Sequence, residues 1–364
     1  MAAQTLRRLV GQSMIIGVED TQLSPAERAW IKLLQPGGII LFRRNIEAIP
    51  QTRELLREAS ALSSALAFRC VDVEGGLVDR LRDVLAPVPS AAAVAATGSR
   101  TLYRRHGALI GREVRTLGFN TTFAPVLDLA LPASAEVMRT RATSPDPARV
   151  IAYAEAFLTG LQSTDTIGCG KHFPGLGAGT LDSHHATPSI PRTWDELWNE
   201  DLLPFRNLAK QLPIVMVSHA SYPAAAPDAL PASISKFWIT DILRKKIGYR
   251  GLILSDDLEM GGILNHSSIE EAAIAAVIAG TDMIEICRTD ELVLRAYEAL
   301  LTEAERSAAI RKRLVASSLR VARAKRALHA PALRPPTAKS IEALRQQVQS
   351  FAVSIERSSQ RGPA

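Results

Sequence analysis

Eight short apolar runs punctuate the chain: "SMIIGV" from 13, "GGIILF" from 37, "AFRCVDV" from 67, "NTTFAPVLDLA" from 120, "IGCGKHF" from 167, "PIVMVSHA" from 213, "GLILSDD" from 251 and "TDMIEIC" from 281. Their hydrophobicity is nearly continuous rather than alternating, the pattern of strands covered on both faces in a parallel sheet. Helix-like segments separate most of them. "SPAERAWIKLLQ" opens with a capping Ser, a Pro at the first helical position and a Glu two places later. "DPARVIAYAEAFLTGLQ" and "SSIEEAAIAAVIAGTD" carry apolar residues at helical spacing, and the first has a Gly near its end. Eight strands alternating with helices predict an α/β fold, a (β/α)8 TIM-type barrel, as a single catalytic domain over residues 1–302. Residues 303–329 read as one long basic helix, "APALRPP" breaks it and a polar helical tail follows, so 303–364 is expected to form a basic helical C-terminal extension and tail. No internal repeat and no second full domain is visible.

The polar residues collect just after the predicted strands: Asp72 and Glu74, Asp128, Lys171 and His172, His219, then Asp256 and Asp257. In a barrel of this type the C-terminal strand ends carry the chemistry, so this placement points to an enzyme.

Composition narrows the setting. The 364 residues are 47% hydrophobic and 22% charged, ordinary globular usage with material for a large core. Three widely spaced cysteines, Cys70, Cys169 and Cys287, exclude a disulfide framework and a CxxC zinc knuckle and read as small buried side chains. The N-terminus has no long apolar stretch after its arginines, and no window reaches the roughly 18 apolar residues of a membrane span. A cytoplasmic protein that binds no membrane is expected. Much of the net charge of +6 lies in "RKRLVASSLRVARAKRALHA". Base-stacking aromatics are missing there, so a solvated helix face explains it and no nucleic-acid partner is expected.

Two stretches carry candidate chemistry. "LILSDDLEM" delivers Asp256 and Asp257 to a strand end, where a carboxylate can act as a nucleophile on an anomeric carbon or as a base; the plainer alternative is a helix cap. "KHFPGLGAGTLDSHHATP", residues 171–188, places Asp182 two residues before His184. A carboxylate beside an imidazole sets its tautomer and raises its basicity, so the pair could serve as an acid/base dyad, or the segment could be a self-capped surface turn. His185 receives no role. His184, His185, His219 and Asp256 could converge on a metal, but neither HxH on a strand nor HExxH on a helix occurs. "GLGAG" lacks the following GK[ST] of a phosphate loop. Arg80, Arg141, Lys171 and His172 fall near strand ends, where cations can hold sugar hydroxyls or a carboxylate.

At this point the residues resemble a known family. "KHFPGLGAGTLDSHHATP" is similar to the KHFPGHG…DSH loop of family 3 glycoside hydrolases, in their bacterial β-N-acetylglucosaminidase branch. The likeness covers about residues 10–300 and includes "GGIILFRRNI", "VDVEGGLVDRL", "GFNTTFAPVLDL", "VMVSHASYPA", "PASISKFWITDILRKKIGYRGLILSDDLEM" and "GTDMIEIC", in the family's order. The resemblance implies a (β/α)8 barrel, retention of anomeric configuration and no cofactor or metal. It makes Asp256 the nucleophile, with Asp257 secondary. It makes His184, polarised by Asp182, the acid/base. It makes Asp72, Arg80, Arg141, Lys171 and His172 the substrate-binding residues.

The implied function is a retaining β-N-acetylhexosaminidase that releases terminal β-linked N-acetylglucosamine through a covalent glycosyl-enzyme in peptidoglycan recycling, acting on a GlcNAc-containing oligosaccharide or muropeptide; the sequence does not fix the oligomeric state, and a monomer is the expectation. Leu176 stands where the branch has a histidine, Val73 and Leu77 replace a glutamine and an arginine, and "EVMRTRATS" departs from the usual segment. A phosphorylase of the same family, a non-catalytic sugar-binding barrel and a metal-dependent hydrolase are the alternatives.

Overall fold

Each of the eight apolar runs holds one barrel strand: β1 Met14–Ile16, β2 Gly38–Leu41, β3 Phe68–Val71, β4 Thr121–Thr122, β5 Ile167–Phe173, β6 Ile214–Val217, β7 Leu252–Asp257 and β8 Met283–Ile286. The computed structural model describes residues 3–181, 187–327 and 335–360. All neighbouring strands pair in parallel, and Met14 opposite Ile284 closes the sheet into a barrel in simple sequence order. Side chains such as Ile15, Ile40, Cys70, Phe123, Met216 and Leu254 fill the interior. Alternate residues, among them Ile16, Ile39, Val71, Val215 and Ile253, pack outward under the helices. Both faces are apolar because both faces are covered, which is why the runs do not alternate.

The helix signals act as local chemistry dictates. Ser24 Oγ accepts the Glu27 N–H at 3.1 Å while Glu27 Oε2 accepts the Ser24 N–H at 2.6 Å, so helix Pro25–Leu34 starts on a reciprocal cap. Helix Ile269–Ala279 starts the same way on Ser268 and Glu271, and stops at Gly280, whose φ of 126° suits glycine.

The C-terminal region differs from the single helix expected over 303–329. Two helices, Asp290–Arg306 and Ala308–Ala327, meet at Ser307, which is extended (φ −104°, ψ 115°). Its hydroxyl accepts the Ile310 N–H at 3.4 Å, so the serine ends one helix and caps the next, a role that helical periodicity does not signal. The second helix closes the floor of the barrel. Val321 is 5% exposed and joins the interior cluster, with Ala324 packed beside it. Asp282, fully buried just before β8, accepts from Arg320 Nη1 at 2.9 Å, from Ser317 Oγ at 3.2 Å, from the Ile253 N–H at 3.0 Å and from Arg244. The last helix, Ala338–Gln360, buries Leu344, Val348, Phe351 and Ile355 on one stripe. Phe351 stacks on His106 at 5.9 Å, and Arg345 Nη2 donates to the Val84 carbonyl at 3.0 Å. Among the described residues no helix is long and apolar enough to cross a membrane.

Asp282→Ala should leave the half-buried Arg320 and the more deeply buried Arg244 without their shared carboxylate. A loss of about 3–5 kcal/mol is expected for breaking a buried pair from one side. Urea unfolding checks it, and a loss below about 1 kcal/mol would put this network among ordinary surface pairs.

Candidate active site

The site is assembled where β3, β5 and β7 end. Directly after β3 the chain turns into a small antiparallel hairpin, Val73–Gly75 with Val78–Asp79. Gly75 and Gly76 have φ of 88° and 64°, and a Cβ on Gly75 would meet the Pro89 carbonyl oxygen at 2.3 Å, so only glycine makes this turn. The buried Asp79 carboxylate holds the returning strand by accepting the Leu81 N–H at 3.0 Å and the Val88 N–H at 3.2 Å. The fold-back lets the Arg80 N–H donate to the Asp72 carbonyl at 3.1 Å and sets both side chains at one pocket.

Lys171, at the end of β5, is the centre of an ion-pair network. Its Nζ lies 2.8 Å from Asp72 Oδ1 and 2.7 Å from Glu74 Oε1, and the side chain is 4% exposed. Arg141 grips the same Glu74 with two bonds, Nε to Oε2 and Nη2 to Oε1, each at 2.9 Å. Such a fork is the strong geometry for a guanidinium and a carboxylate. Burial favours the neutral acid at Glu74, but Arg141 and Lys171 outweigh it and hold the carboxyl far below its usual range. Burial likewise opposes the charge on Lys171, and Asp72 and Glu74 reverse that, so its pKa is raised.

His172 is fixed from both sides. Its Nδ1 donates to Asp128 Oδ2 at 2.6 Å, and its Nε2 meets Arg141 Nη2 at 3.3 Å. The carboxylate on one side and the guanidinium on the other fix the orientation of the ring. Asp128 also accepts the backbone N–H of His172 and, at 2.7 Å, that of Leu176. One buried carboxylate therefore orients the imidazole and shapes the start of the following loop.

β7 presents two adjacent carboxylates with opposite electrostatics. For Asp256, burial pushes the pKa up, but His172, His219, Lys171 and the Asp257 N–H, which donates to Oδ1 at 3.0 Å, bring it below the ordinary value. Its Oδ2 has no hydrogen-bond partner among the described residues. Asp257 is pushed up to about 7 by burial and by Glu259 and Asp256, and its Oδ1 accepts the Glu259 N–H at 3.0 Å. His219, weighed as a metal ligand, is taken up by the scaffold: Nδ1 lies 2.7 Å from Ser233 Oγ, and Nε2 donates to the Asp257 carbonyl at 2.9 Å. Among the described residues no group of three or more His, Cys, Asp or Glu side chains is placed to hold a metal.

Asp72, Arg80, Arg141, Lys171, His172 and Asp256 all line one pocket of about 920 Å³, counting its open mouth. Arg80 lies over the Phe42 ring at 5.8 Å, and its Nε has no hydrogen-bond partner among the described residues, in contrast to the committed Arg141 and Lys171. Asp182 and His184 lie outside the described residues. The chain on either side of them borders the site. Leu181 lines the pocket, and Thr187 Oγ1 donates to the Gly262 carbonyl at 2.6 Å, just beyond β7. Leu176 is buried at 8% exposure and lines the pocket as well. Sequence reasoning placed Glu74 and Asp128 at strand ends but gave them no task, and it passed over Glu285 and Met216 inside apolar runs. The signal for Glu285 was its even spacing between Met283 and Cys287, which puts all three on the inward face.

A closed parallel barrel whose C-terminal mouth holds an ionised carboxylate among fixed cations defines a barrel enzyme. The model of the glycosyl hydrolase family 3 N-terminal domain matches residues 5–324, and the chain belongs to that family of glycoside hydrolases. It is 33% identical over 311 residues to a β-hexosaminidase of Idiomarina loihiensis, covering 84% of this chain and 93% of that protein. The fold matches a family 3 β-N-acetylglucosaminidase from a Paenibacillus species with a TM-score of 0.88 at 31% identity, covering 95% of this chain and 68% of that one. It also matches a Neisseria gonorrhoeae enzyme solved in complex with N-trifluoroacetyl-D-glucosamine, with a TM-score of 0.74 at 27% identity over 95% and 98% of the two chains.

The raised Asp257 has a consequence for pH. Its folded pKa of about 7 exceeds the ordinary value of 3.8, so the folded state binds the extra proton between those limits. The stability this contributes is complete below about pH 4 and is lost as pH rises through about 7. Melting temperatures from pH 5 to 8 should fall more steeply for the wild type than for Asp257→Asn, and parallel curves would contradict the assignment.

Proposed function

We propose that this chain is a retaining β-N-acetylhexosaminidase that removes a terminal β-linked N-acetylglucosamine. One observation carries the reading: Asp256, kept ionised at the end of β7, faces a pocket lined by Asp72, Arg80, Arg141, Lys171 and His172. The names of the relatives above and the glucosamine derivative in the Neisseria structure support the choice of sugar.

In the first step an Asp256 oxygen attacks the anomeric carbon as the bond to the leaving oxygen breaks. His184, oriented by Asp182, gives that oxygen a proton. In the second step water attacks the anomeric carbon, His184 takes the water's proton, and the bond to Asp256 breaks with net retention. The Asp257 N–H on Oδ1 holds the carboxylate while Oδ2 attacks. Arg80, with an uncommitted nitrogen, binds the sugar directly, while the network through Glu74 keeps Arg141 and Lys171 still. The natural substrate in this reading is a GlcNAc-containing muropeptide of peptidoglycan recycling in the cytoplasm, turned over by a monomer without a cofactor.

Asp256→Ala should reduce turnover of an aryl β-N-acetylglucosaminide by about 10³-fold or more, the scale expected for removing a nucleophile that acts with an acid/base partner. His184→Ala should slow poor leaving groups far more than activated ones. Near-wild-type turnover by Asp256→Ala, or release of the inverted sugar by NMR, would overturn the mechanism. GlcNAc-1-phosphate formed in phosphate buffer would identify a phosphorylase instead.

A further inference from the structure

The inward-facing positions of β8 are Met283, Glu285 and Cys287, and the pocket reaches past the strand ends to Phe123, Met216 and Glu285 inside the barrel. Glu285 sits where the polar mouth meets the apolar interior: its register partners are Asp257 on one side and Ile15 on the other, and Ile40, Cys70, Cys169 and Leu254 fill the same interior. A carboxyl among such side chains is costly unless its hydrogen bonds are made. Glu285 is 3% exposed. Its Oε1 accepts from Cys287 Sγ at 3.1 Å, and its Oε2 has no hydrogen-bond partner among the described residues. The backbone cannot swing it elsewhere, because the Glu285 N–H donates to Ser255 Oγ at 3.1 Å and its carbonyl accepts the Leu258 N–H at 2.9 Å.

We propose that Glu285 is a specificity-determining residue whose uncommitted carboxyl oxygen hydrogen-bonds a hydroxyl group of the sugar at the closed end of the pocket. The inference rests on reading the pocket as a sugar site. Burial, then Asp257 and Asp72, push the carboxyl's pKa well above its ordinary value and so favour the neutral acid. A neutral acid there offers an O–H donor without adding a charge beside Asp256. It also supplies the floor of the pocket with a polar group that the ion pairs of Lys171 and Arg141 do not, since theirs are already engaged. A site built to pair a substrate hydroxyl discriminates against sugars that lack it, because its own polar group is then stranded.

The test compares wild type, Glu285→Gln and Glu285→Leu on an aryl β-N-acetylglucosaminide and on its 3-, 4- and 6-deoxy analogues. Glu285→Leu should lose about tenfold or more in kcat/KM on the parent sugar, and Glu285→Gln, which keeps a donor and an acceptor, should recover most of it. For one deoxy analogue, wild type and Glu285→Leu should be equal. Equal activity of all three proteins on the parent, or the same loss on every analogue, would overturn the proposal and leave Glu285 a packing residue. Thermal unfolding of Glu285→Leu serves as the folding control. A wild type that ignores the GlcNAc glycoside but cleaves the glucoside or xyloside would refute the sugar assignment alone, and the same comparison would then be run on that glycoside. Cleavage of none of the three would refute both readings.

Discussion

A lysine ammonium withdrawn from water is tolerable only if carboxylates meet it, and at Lys171 that requirement organises the mouth of the barrel. Asp72 and Glu74 must come to the end of β5, which requires the chain after β3 to fold back on glycines. Glu74, shared with Arg141, pulls in the segment before helix Pro147–Gln162, and Arg141 in turn reaches the ring that Asp128 holds. Buried ion pairs are a poor source of stability. Their value here is position: side chains from the hairpin segment after β3, from β5 and from the loop after β4 are locked to one another within hydrogen-bonding distance. A hydrolase that stabilises a short-lived charged sugar gains from groups that need no rearrangement when that charge appears.

The same logic separates two neighbours that look alike in the sequence. Successive residues of a strand point to opposite sides. Asp256 falls among imidazoles and an ammonium, while Asp257 falls beside Glu259 and Glu285. The environments move the two carboxyls in opposite directions, so within one dipeptide one is kept charged and the other is close to half-protonated near neutrality.

The barrel was legible because its strands are short, apolar on both faces and separated by helices with capping serines, all of which are local properties. The grouping of Asp72, Lys171 and Asp256 followed from strand ends alone. What stayed hidden depends on distance along the chain. The Glu74–Arg141 fork joins residues 67 positions apart, and no periodicity announces it. Glu285 sat inside a run read as pure strand. Ser307 breaks a helix through one hydroxyl, in a stretch whose composition is helical throughout. Asp182 and His184 were singled out by their spacing and given the acid/base role by a resemblance, and they fall outside the described residues.

The helix that plugs the barrel floor with Val321 has a consequence for traffic. Among the described residues, a cavity sealed beneath opens only at the strand-end mouth. On the proposed mechanism the first ring in would be the last out: the detached remainder of a glycan would have to back away before water reached the sugar, and the sugar would have to leave before another chain end could enter. A polymer cannot be threaded through such a cul-de-sac, so successive cuts on the same strand require separate encounters. On that reading the rate at which long glycans were shortened would be governed by how often their free ends found the opening, and a short fragment, with more ends per unit mass, would be the better substrate.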